Sequence, residues 1–130
     1  MLKKITIKRV NLPAKGNLSK DIEFICKSLG YSNNKKGTLS KVFKLLLKSR
    51  EGLTSENISK KLSLTRGAIV HHINTLISSG IIVKEGNMYK IRNESLTQAI
   101  EEIKEEINRI LDKVMKVARD IDKKLGRSYR

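Results

Sequence analysis

The feature that most constrains this chain is a regular apolar repeat in its last third. Eight aliphatic residues recur there at alternating intervals of four and three, which keeps them on one face of a helix when the period is about 3.5 residues. They are Leu96, Ile100, Ile103, Ile107, Ile110, Val114, Val117 and Ile121. A stripe of this length has to be covered, so residues 95–125 are predicted to form a coiled-coil helix that joins copies of the chain.

The composition of the stripe bears on the number of helices that meet. Ile100, Ile107, Val114 and Ile121 form one row of the seam, and the other four residues form the second. Because isoleucine occupies both rows, a tetramer stays open beside a homodimer. Towards the C-terminus the stripe is widened by Leu111, Ala118 and Leu125. This width indicates that the helix also packs on the domain body, or that more than two helices meet.

The charge of the chain is high and unevenly placed. There are 28 Lys and Arg residues against 13 Asp and Glu, giving a net charge of +15. Residues 1–94 carry 19 basic and 6 acidic side chains, whereas residues 95–125 carry 7 of each. Uncompensated cations favour a polyanionic partner, and balanced charges suit the solvated side of a packed helix. A surface this basic is also common in ribosomal proteins and in membrane-surface proteins, and nucleic acid is the favoured partner of the first part.

Cysteine usage and hydropathy exclude two broad classes of protein. Cys26 is the only cysteine, so an intrachain disulfide framework is excluded, and its apolar neighbours predict a small core residue rather than a redox sensor. The N-terminus lacks a signal-peptide pattern, and no apolar run approaches the roughly 18 residues of a spanning helix. We expect a cytoplasmic protein that does not associate with a membrane.

The N-terminal 38 residues are predicted to form an extension. Residues 3–10 alternate in the manner of a strand, and Ser19 is positioned to cap a helix. The polar stretch Gly30–Gly37 is predicted to be a loop. The apolar face of the helix consists of Leu18, Ile22, Ile25, Cys26 and Leu29.

Three helices are predicted to follow. The first begins near Leu39, with Val42, Phe43, Leu46 and Leu47 on its apolar face, and ends with Gly52 as its C-cap. The second is capped by Thr54 or Ser55 and has Ile58 and Leu62 as its apolar positions. After a turn at Ser63 and Leu64, Thr65 caps the third helix, which runs to about Ser79 and ends at Gly80. The buried face of the third helix consists of Ile69, Ile73, Leu76 and Ile77.

A short hairpin is predicted after the third helix. Ile81–Val83 form an apolar strand, Glu85–Asn87 a turn, and Met88–Arg92 a second strand. Two short helices joined by a tight turn make a helix-turn-helix, and the hairpin is its wing. The predicted fold class is mainly α with a small β wing. A winged helix-turn-helix over residues 39–92 is followed by the long coiled-coil helix and a basic tail, residues 126–130.

The segment LTRGAIVHHINTLISSGII, residues 64–82, resembles the recognition module of the ArsR-like winged helix family. The resemblance is carried by His71, His72, Ile73, Leu76 and Gly80. Together with the N-terminal extension, the long helix resembles a subgroup of small archaeal regulators. The resemblance implies a homodimer that binds operator DNA, usually represses transcription and often releases DNA when an effector binds. Metal-sensing relatives carry paired cysteines near this module, so the lone Cys26 argues against a thiolate metal sensor.

The third helix is predicted to read bases in the major groove. Arginine makes bidentate contacts to guanine and asparagine to adenine, while small residues allow close approach and the Ala68 methyl group suits thymine. The candidate base contacts are Arg66, Gly67, Ala68, Val70, His71 and Asn74. The candidate phosphate contacts are Thr65, Lys60, Lys61, Lys84, Lys90 and Arg92. For Thr65, helix capping is the favoured role.

Neither a metal site nor an enzyme is predicted. Neighbouring residues on a helix point about 100° apart, so His71 and His72 do not chelate one ion; His72 is expected at the edge of the core and His71 on the DNA side. No nucleophile–base set, phosphate loop or zinc spacing is present, and we expect no cofactor. The predicted function is a sequence-specific regulator, a repressor acting as a homodimer on a two-half-site operator in double-stranded DNA. Non-specific nucleic-acid packaging and a winged-helix protein adaptor remain alternatives.

Overall fold

The computed structural model describes residues 5–31 and 37–127. Along these residues the helices are α1 (Leu18–Ser28), α2 (Thr38–Lys48), α3 (Ser55–Leu62), α4 (Arg66–Ser78) and α5 (Leu96–Lys124), and the strands are β1 (Ile82–Glu85) and β2 (Met88–Ile91). The predicted fold class is confirmed: a winged helix-turn-helix is followed by a long helix. The centre of the predicted Gly30–Gly37 loop and the end of the basic tail lie outside the described residues.

Helix α2 is the centre of the first of two compact units, residues 1–99. It packs against α1, α3, α4 and β2. Its residues Leu39, Val42, Phe43 and Leu46 are fully buried, because they recur at the helical spacing of three and four that places side chains on one face. Leu47, predicted for this face, is half-buried at its edge.

Side-chain caps define the helix-turn-helix. The Thr54 hydroxyl accepts a hydrogen bond from Asn57 N at 3.0 Å, and the Asn57 amide oxygen accepts from Thr54 N at 3.2 Å. Thr54, rather than Ser55, is therefore the cap of α3, and this reciprocal pair is a capping box. The turn passes through Ser63 in a left-handed conformation, with φ 53°. These local signals fix both ends of α3 and the direction in which α4 begins.

The predicted role of Gly52 as the C-cap of α2 is wrong, because Gly52 lies beside the wing. Helix α2 ends at Lys48 with Ser49 as its extended C-cap, so Gly52 is not the C-cap. Leu53 instead pairs with Tyr89 of β2 through two backbone hydrogen bonds of 2.7 and 2.9 Å. Gly52 has φ 98°, and a Cβ atom there would lie 2.9 Å from the Tyr89 carbonyl oxygen. Glycine is required because the chain passes close to β2 in a conformation that other residues rarely adopt.

Two predictions for the N-terminal extension are wrong. The described part of the predicted strand, residues 5–10, has no regular secondary structure. The Lys8 N–H donates to the Ser28 carbonyl at the end of α1 (2.7 Å), whereas a strand needs a neighbouring strand for its ladder. Helix α1 is capped by Asn17, whose side-chain oxygen accepts from Lys20 N at 3.0 Å, and not by Ser19. Position 18 is consequently the first helical residue.

The buried face of α1 is shorter than predicted. Ile22 and Cys26 are buried, and Ile25 and Leu29 are half-buried, but Leu18 is exposed. The first turn of the helix therefore lies beyond the part that packs. The half-buried Tyr31 hydroxyl hydrogen-bonds the Ser79 hydroxyl at the end of α4, which links the extension to the helix-turn-helix. Burial raises the pKa of Tyr31 well above its usual range.

Helix α5 begins in the first unit and continues into the second, which begins at Ile100. Ser95 caps it, since its hydroxyl accepts from Gln98 N at 3.2 Å. From residue 108 onward every described residue except Asp122 is exposed, including the large aliphatic ones. None of the described helices is long and apolar enough to cross a membrane.

Candidate nucleic-acid interface

Helix α4 packs along one side only. Ile69, His72, Ile73 and Leu76 are buried, and the predicted Ile77 is half-buried at the margin. On the opposite side Gly67, His71, Asn74 and Ser78 are exposed at intervals of four, three and four, so they form one continuous stripe. We call these four residues the α4 stripe.

The predicted base readers occupy this stripe and its margins. Gly67, His71 and Asn74 belong to it, and Arg66 is exposed at the first helical position. Ala68 and Val70 are partly exposed on its two flanks. All six residues are therefore accessible from outside the domain. Gly67, His71 and Asn74 share one face of the helix.

Ser78 belongs to the α4 stripe but was missed by the sequence prediction. Its hydroxyl donates to the Asn74 carbonyl oxygen at 2.8 Å, which holds the side chain against the helix. Its position four residues after Asn74 was the available signal. The stripe is thus one turn longer than the predicted set of readers.

Gly67 leaves the first turn of α4 without a side chain. A Cβ atom built there would meet nothing within 4 Å, and the backbone does not have positive φ. In a helix, glycine is less stable than alanine by roughly 0.5–1 kcal/mol. The fold itself therefore gives no reason for glycine at this position.

The N-terminus of α4 suits an anion. The Thr65 hydroxyl accepts a hydrogen bond from Ala68 N at 3.3 Å, which makes it the cap, and the first turn contains no acidic residue. The partial positive charge of a helix N-terminus favours phosphate oxygens. Thr65 is exposed, and a hydroxyl that accepts one hydrogen bond still has a proton to donate. Capping and a phosphate contact are compatible roles for this residue.

The two histidines have different environments. Their ring centroids lie 5.6 Å apart with the planes tilted by 58°. His71 is exposed, whereas His72 is 8% exposed, and its Nδ1 atom makes no hydrogen bond within the described part of the chain. Burial, followed by the charge of His71, lowers the pKa of His72. Nowhere along residues 5–31 and 37–127 do three His, Cys, Asp or Glu side chains come together in a way that could hold a metal ion.

The predicted phosphate-binding lysines of α3 lie at its C-terminal end. Lys60 and Lys61 are both exposed. Lys60 pairs with Glu56 at 3.5 Å, but both side chains are more than 70% exposed, so the ion pair is weak. The Lys60 ammonium group therefore remains accessible to a phosphate group.

The wing divides its cations between two faces. Lys84 lies opposite Tyr89 in the antiparallel register, and Lys90 lies opposite Val83. Since side chains alternate along a strand, Lys84 and Lys90 are on opposite faces of the hairpin. Lys84 Nζ lies 5.8 Å from the centroid of the Tyr89 ring, and Lys90 Nζ lies 3.0 Å from Glu85. The structure does not bring the predicted wing cations together on one face.

Lys90 and Arg92 instead line a groove of about 860 Å³ with Arg50, which follows α2. Glu94 also lines this groove, so its lining contains three cations and one carboxylate. Arg50 was missed by the sequence prediction because its place beside β2 depends on the pairing of Leu53 with Tyr89. No local pattern around residue 50 indicates that contact.

Cys26 is a buried core residue, as predicted. It is fully buried, and the Ser40 hydroxyl lies 3.8 Å from its sulfur. Burial raises the pKa of the thiol. A buried thiol with a raised pKa has little thiolate and is a poor nucleophile.

Comparison with known proteins identifies one segment. Residues 38–90, from the start of α2 to β2, match a family model described as an HTH domain. No significant match is found among curated proteins or among solved structures. The family match, on a segment that folds as a winged helix-turn-helix, supports a DNA-binding regulator.

Proposed function

We propose that the chain is a sequence-specific transcriptional regulator of the ArsR-like type that binds operator DNA as a homodimer. The observation that carries this proposal is the α4 stripe: an exposed and narrow helix face that begins with a glycine the fold does not need. A residue without a side chain allows the helix backbone to approach a ligand closely. The floor of the major groove is a surface of this kind, since the groove admits one α-helix.

Each of the six candidate base readers of α4 then has a role in recognition. Arg66 offers two donors that suit the O6 and N7 acceptors of guanine, and the Asn74 amide offers a donor for adenine N7 and an acceptor for the adenine N6 amino group. His71, exposed in the middle of the stripe, faces the same base edges. Ala68 and Val70 are partly exposed on the flanks, where their methyl groups suit thymine. Gly67 lets the first turn come close.

Phosphate contacts position the reader. Thr65 at the helix N-terminus and Lys60 and Lys61 at the end of α3 are candidates on the two sides of the turn, and Lys84 is a candidate on the wing. Lys90 and Arg92, with Arg50, form a separate cationic groove that suits another part of the backbone. Such contacts supply affinity and register, whereas base contacts supply specificity.

The α5 helix is the dimerisation element of this proposal, with residues 39–92 as the reader and 95–125 as the dimeriser. Two recognition helices related by a two-fold axis require half-sites about one helical turn apart, roughly 10 base pairs or a multiple of it. The resemblance to small archaeal regulators supports repression as the outcome, and the single cysteine, Cys26, favours the cytoplasm as the location. An insertion of about half a turn between half-sites should reduce binding to the non-specific level.

Selection of bound sites from a random duplex library tests the proposal. The full-length protein should enrich a two-fold symmetric sequence, and its affinity for that sequence should exceed its affinity for random duplex by roughly 10³ or more. Equal affinity for both with a steep salt dependence would contradict it and favour packaging. Failure to bind any duplex at low salt would contradict it and favour a protein adaptor.

A further inference from the structure

The aliphatic stripe of α5 changes character between residues 103 and 110. Ile103 is 2% exposed in the folded chain, whereas Ile110, Val114, Val117 and Ile121 are 44% to 58% exposed. All four belong to the second compact unit. We call them the open seam. The exposed part of the stripe therefore begins at Ile110.

We propose that a second copy of the chain covers the open seam in the antiparallel direction, centred beside Met115 and Lys116. The inference rests on the proposed homodimer and specifies its geometry. A second copy is a suitable partner because the open seam continues the heptad pattern, and helices with the same heptad pattern pack on each other by inserting seam side chains into holes on the facing helix. The orientation follows from the residues that flank the seam.

The two flanks of the open seam differ in chemistry. One flank carries Lys113 and Asp120, each directly before a seam residue. The other flank carries only apolar residues over the same length, namely Leu111, Ala118 and Leu125. In coiled coils these flanking positions determine partner orientation.

A parallel pair places unlike flanks together. Lys113 and Asp120 would each face an apolar residue of the partner, which leaves the charges uncompensated. An antiparallel pair places like flanks together. Lys113 then faces Asp120 of the partner subunit, Asp120 faces Lys113 of the partner subunit, and the apolar flanks meet each other. Charge complementarity therefore selects the antiparallel pair.

The register follows from the same residues. With the two-fold axis beside Met115 and Lys116, Ile110 packs on Ile121 of the partner subunit and Val114 on Val117 of the partner subunit. Moving the axis half a heptad towards the N-terminus brings the two Lys113 side chains together. Moving it half a heptad the other way brings the two Asp120 side chains together and places Lys124 in the seam.

A shift of one whole heptad towards the N-terminus would again pair opposite charges, Glu106 with Lys113. That arrangement needs Ile103 in the shared seam, and Ile103 is already buried within one chain. Glu106 also accepts hydrogen bonds from Arg109 of its own helix, with Nε at 3.1 Å. Among the described residues neither Lys113 nor Asp120 forms an ion pair, so both are available to a partner.

Charge reversal measured by sedimentation equilibrium without DNA tests this geometry. Lys113→Glu should raise the dimer Kd about tenfold, because it turns two symmetry-related attractions into repulsions. Asp120→Lys should do the same, and the double variant should restore the Kd to within about threefold of the wild-type value. The effects should largely disappear at about 1 M salt.

Matched controls reverse the same charges on the outer side of the helix. Lys116→Glu and Asp112→Lys should leave the Kd within about threefold of wild type, and circular dichroism checks that every variant keeps its helix content. A dimer that is insensitive to Lys113→Glu, or that is not rescued in the double variant, overturns the antiparallel register alone. A monomeric wild type at micromolar concentration overturns both this inference and the proposed homodimer.

Discussion

Replacing Gly67 with alanine should make the protein more stable and a worse DNA binder. The added methyl group meets nothing within 4 Å in the folded chain, and the backbone is helical without positive φ. Alanine should therefore stabilise α4 by roughly 0.5–1 kcal/mol. For a domain of this size, the Tm should rise by roughly 2–5 °C. Differential scanning calorimetry measures this part of the prediction.

The same methyl group stands on the α4 stripe. If the backbone of the first turn lies against base edges, the helix has to move outward and lose contacts of about 1–3 kcal/mol each. Fluorescence anisotropy with the selected duplex should show a loss of affinity of about tenfold or more. Asn108→Ala is a matched control, since it also improves helix propensity at an exposed position, and its DNA affinity should not change. A Gly67→Ala protein that binds the selected duplex as tightly as wild type would refute the close approach.

Three further predictions test other parts of the account. In a single chain the Ile110 side chain is 44% exposed, and covering this exposed part in the dimer contributes about 1 kcal/mol per chain. Ile110→Glu removes that contribution and places a charge in the seam, so light scattering should detect monomers. An unchanged oligomer would mean that the seam lies elsewhere on the chain. Lys84→Ala should weaken binding to selected and random duplexes equally and lower the salt slope by about one unit; a change in the ratio of the two affinities would instead assign it a base contact. In Gly52→Ala the new Cβ atom would lie 2.9 Å from the Tyr89 carbonyl oxygen, on a residue with positive φ. The free energy of unfolding should therefore fall by about 1–3 kcal/mol, measured by thermal unfolding. An unchanged Tm would show that the pairing of Leu53 with Tyr89 adjusts to the added methyl group without a loss of stability.

Local patterns in the sequence predicted the helices and wing well because their determinants are local. The Thr65 cap, the buried Ile69, Ile73 and Leu76, and the turn between α3 and α4 all follow from spacing and capping chemistry within a few residues. Five of the six predicted base readers lie on or beside the α4 stripe because helical periodicity places them there, and Arg66 is the first residue of the helix.

The misassigned features depend on contacts between distant residues. The alternation of residues 3–10 is compatible with a strand, but in the described part the Lys8 N–H donates to the carbonyl of Ser28 at the end of α1. Gly52 has a glycine-specific role because of Tyr89, which lies in another element. Arg50 reaches the groove with Lys90 and Arg92 through the same pairing. The spacing of residues along the sequence does not predict these contacts between distant residues.

The most direct test of the central claim, that α4 reads base sequence, is the ratio of the affinities for the selected and random duplexes in Asn74→Ala. Asn74 is exposed in the middle of the α4 stripe, and loss of one bidentate base contact costs about 1–3 kcal/mol on the preferred site alone. The ratio should therefore fall by roughly fivefold or more, while Lys61→Ala, which removes only charge from the neighbouring helix, should leave it unchanged. If Asn74→Ala weakens binding to both duplexes equally, α4 does not read sequence and the account is wrong.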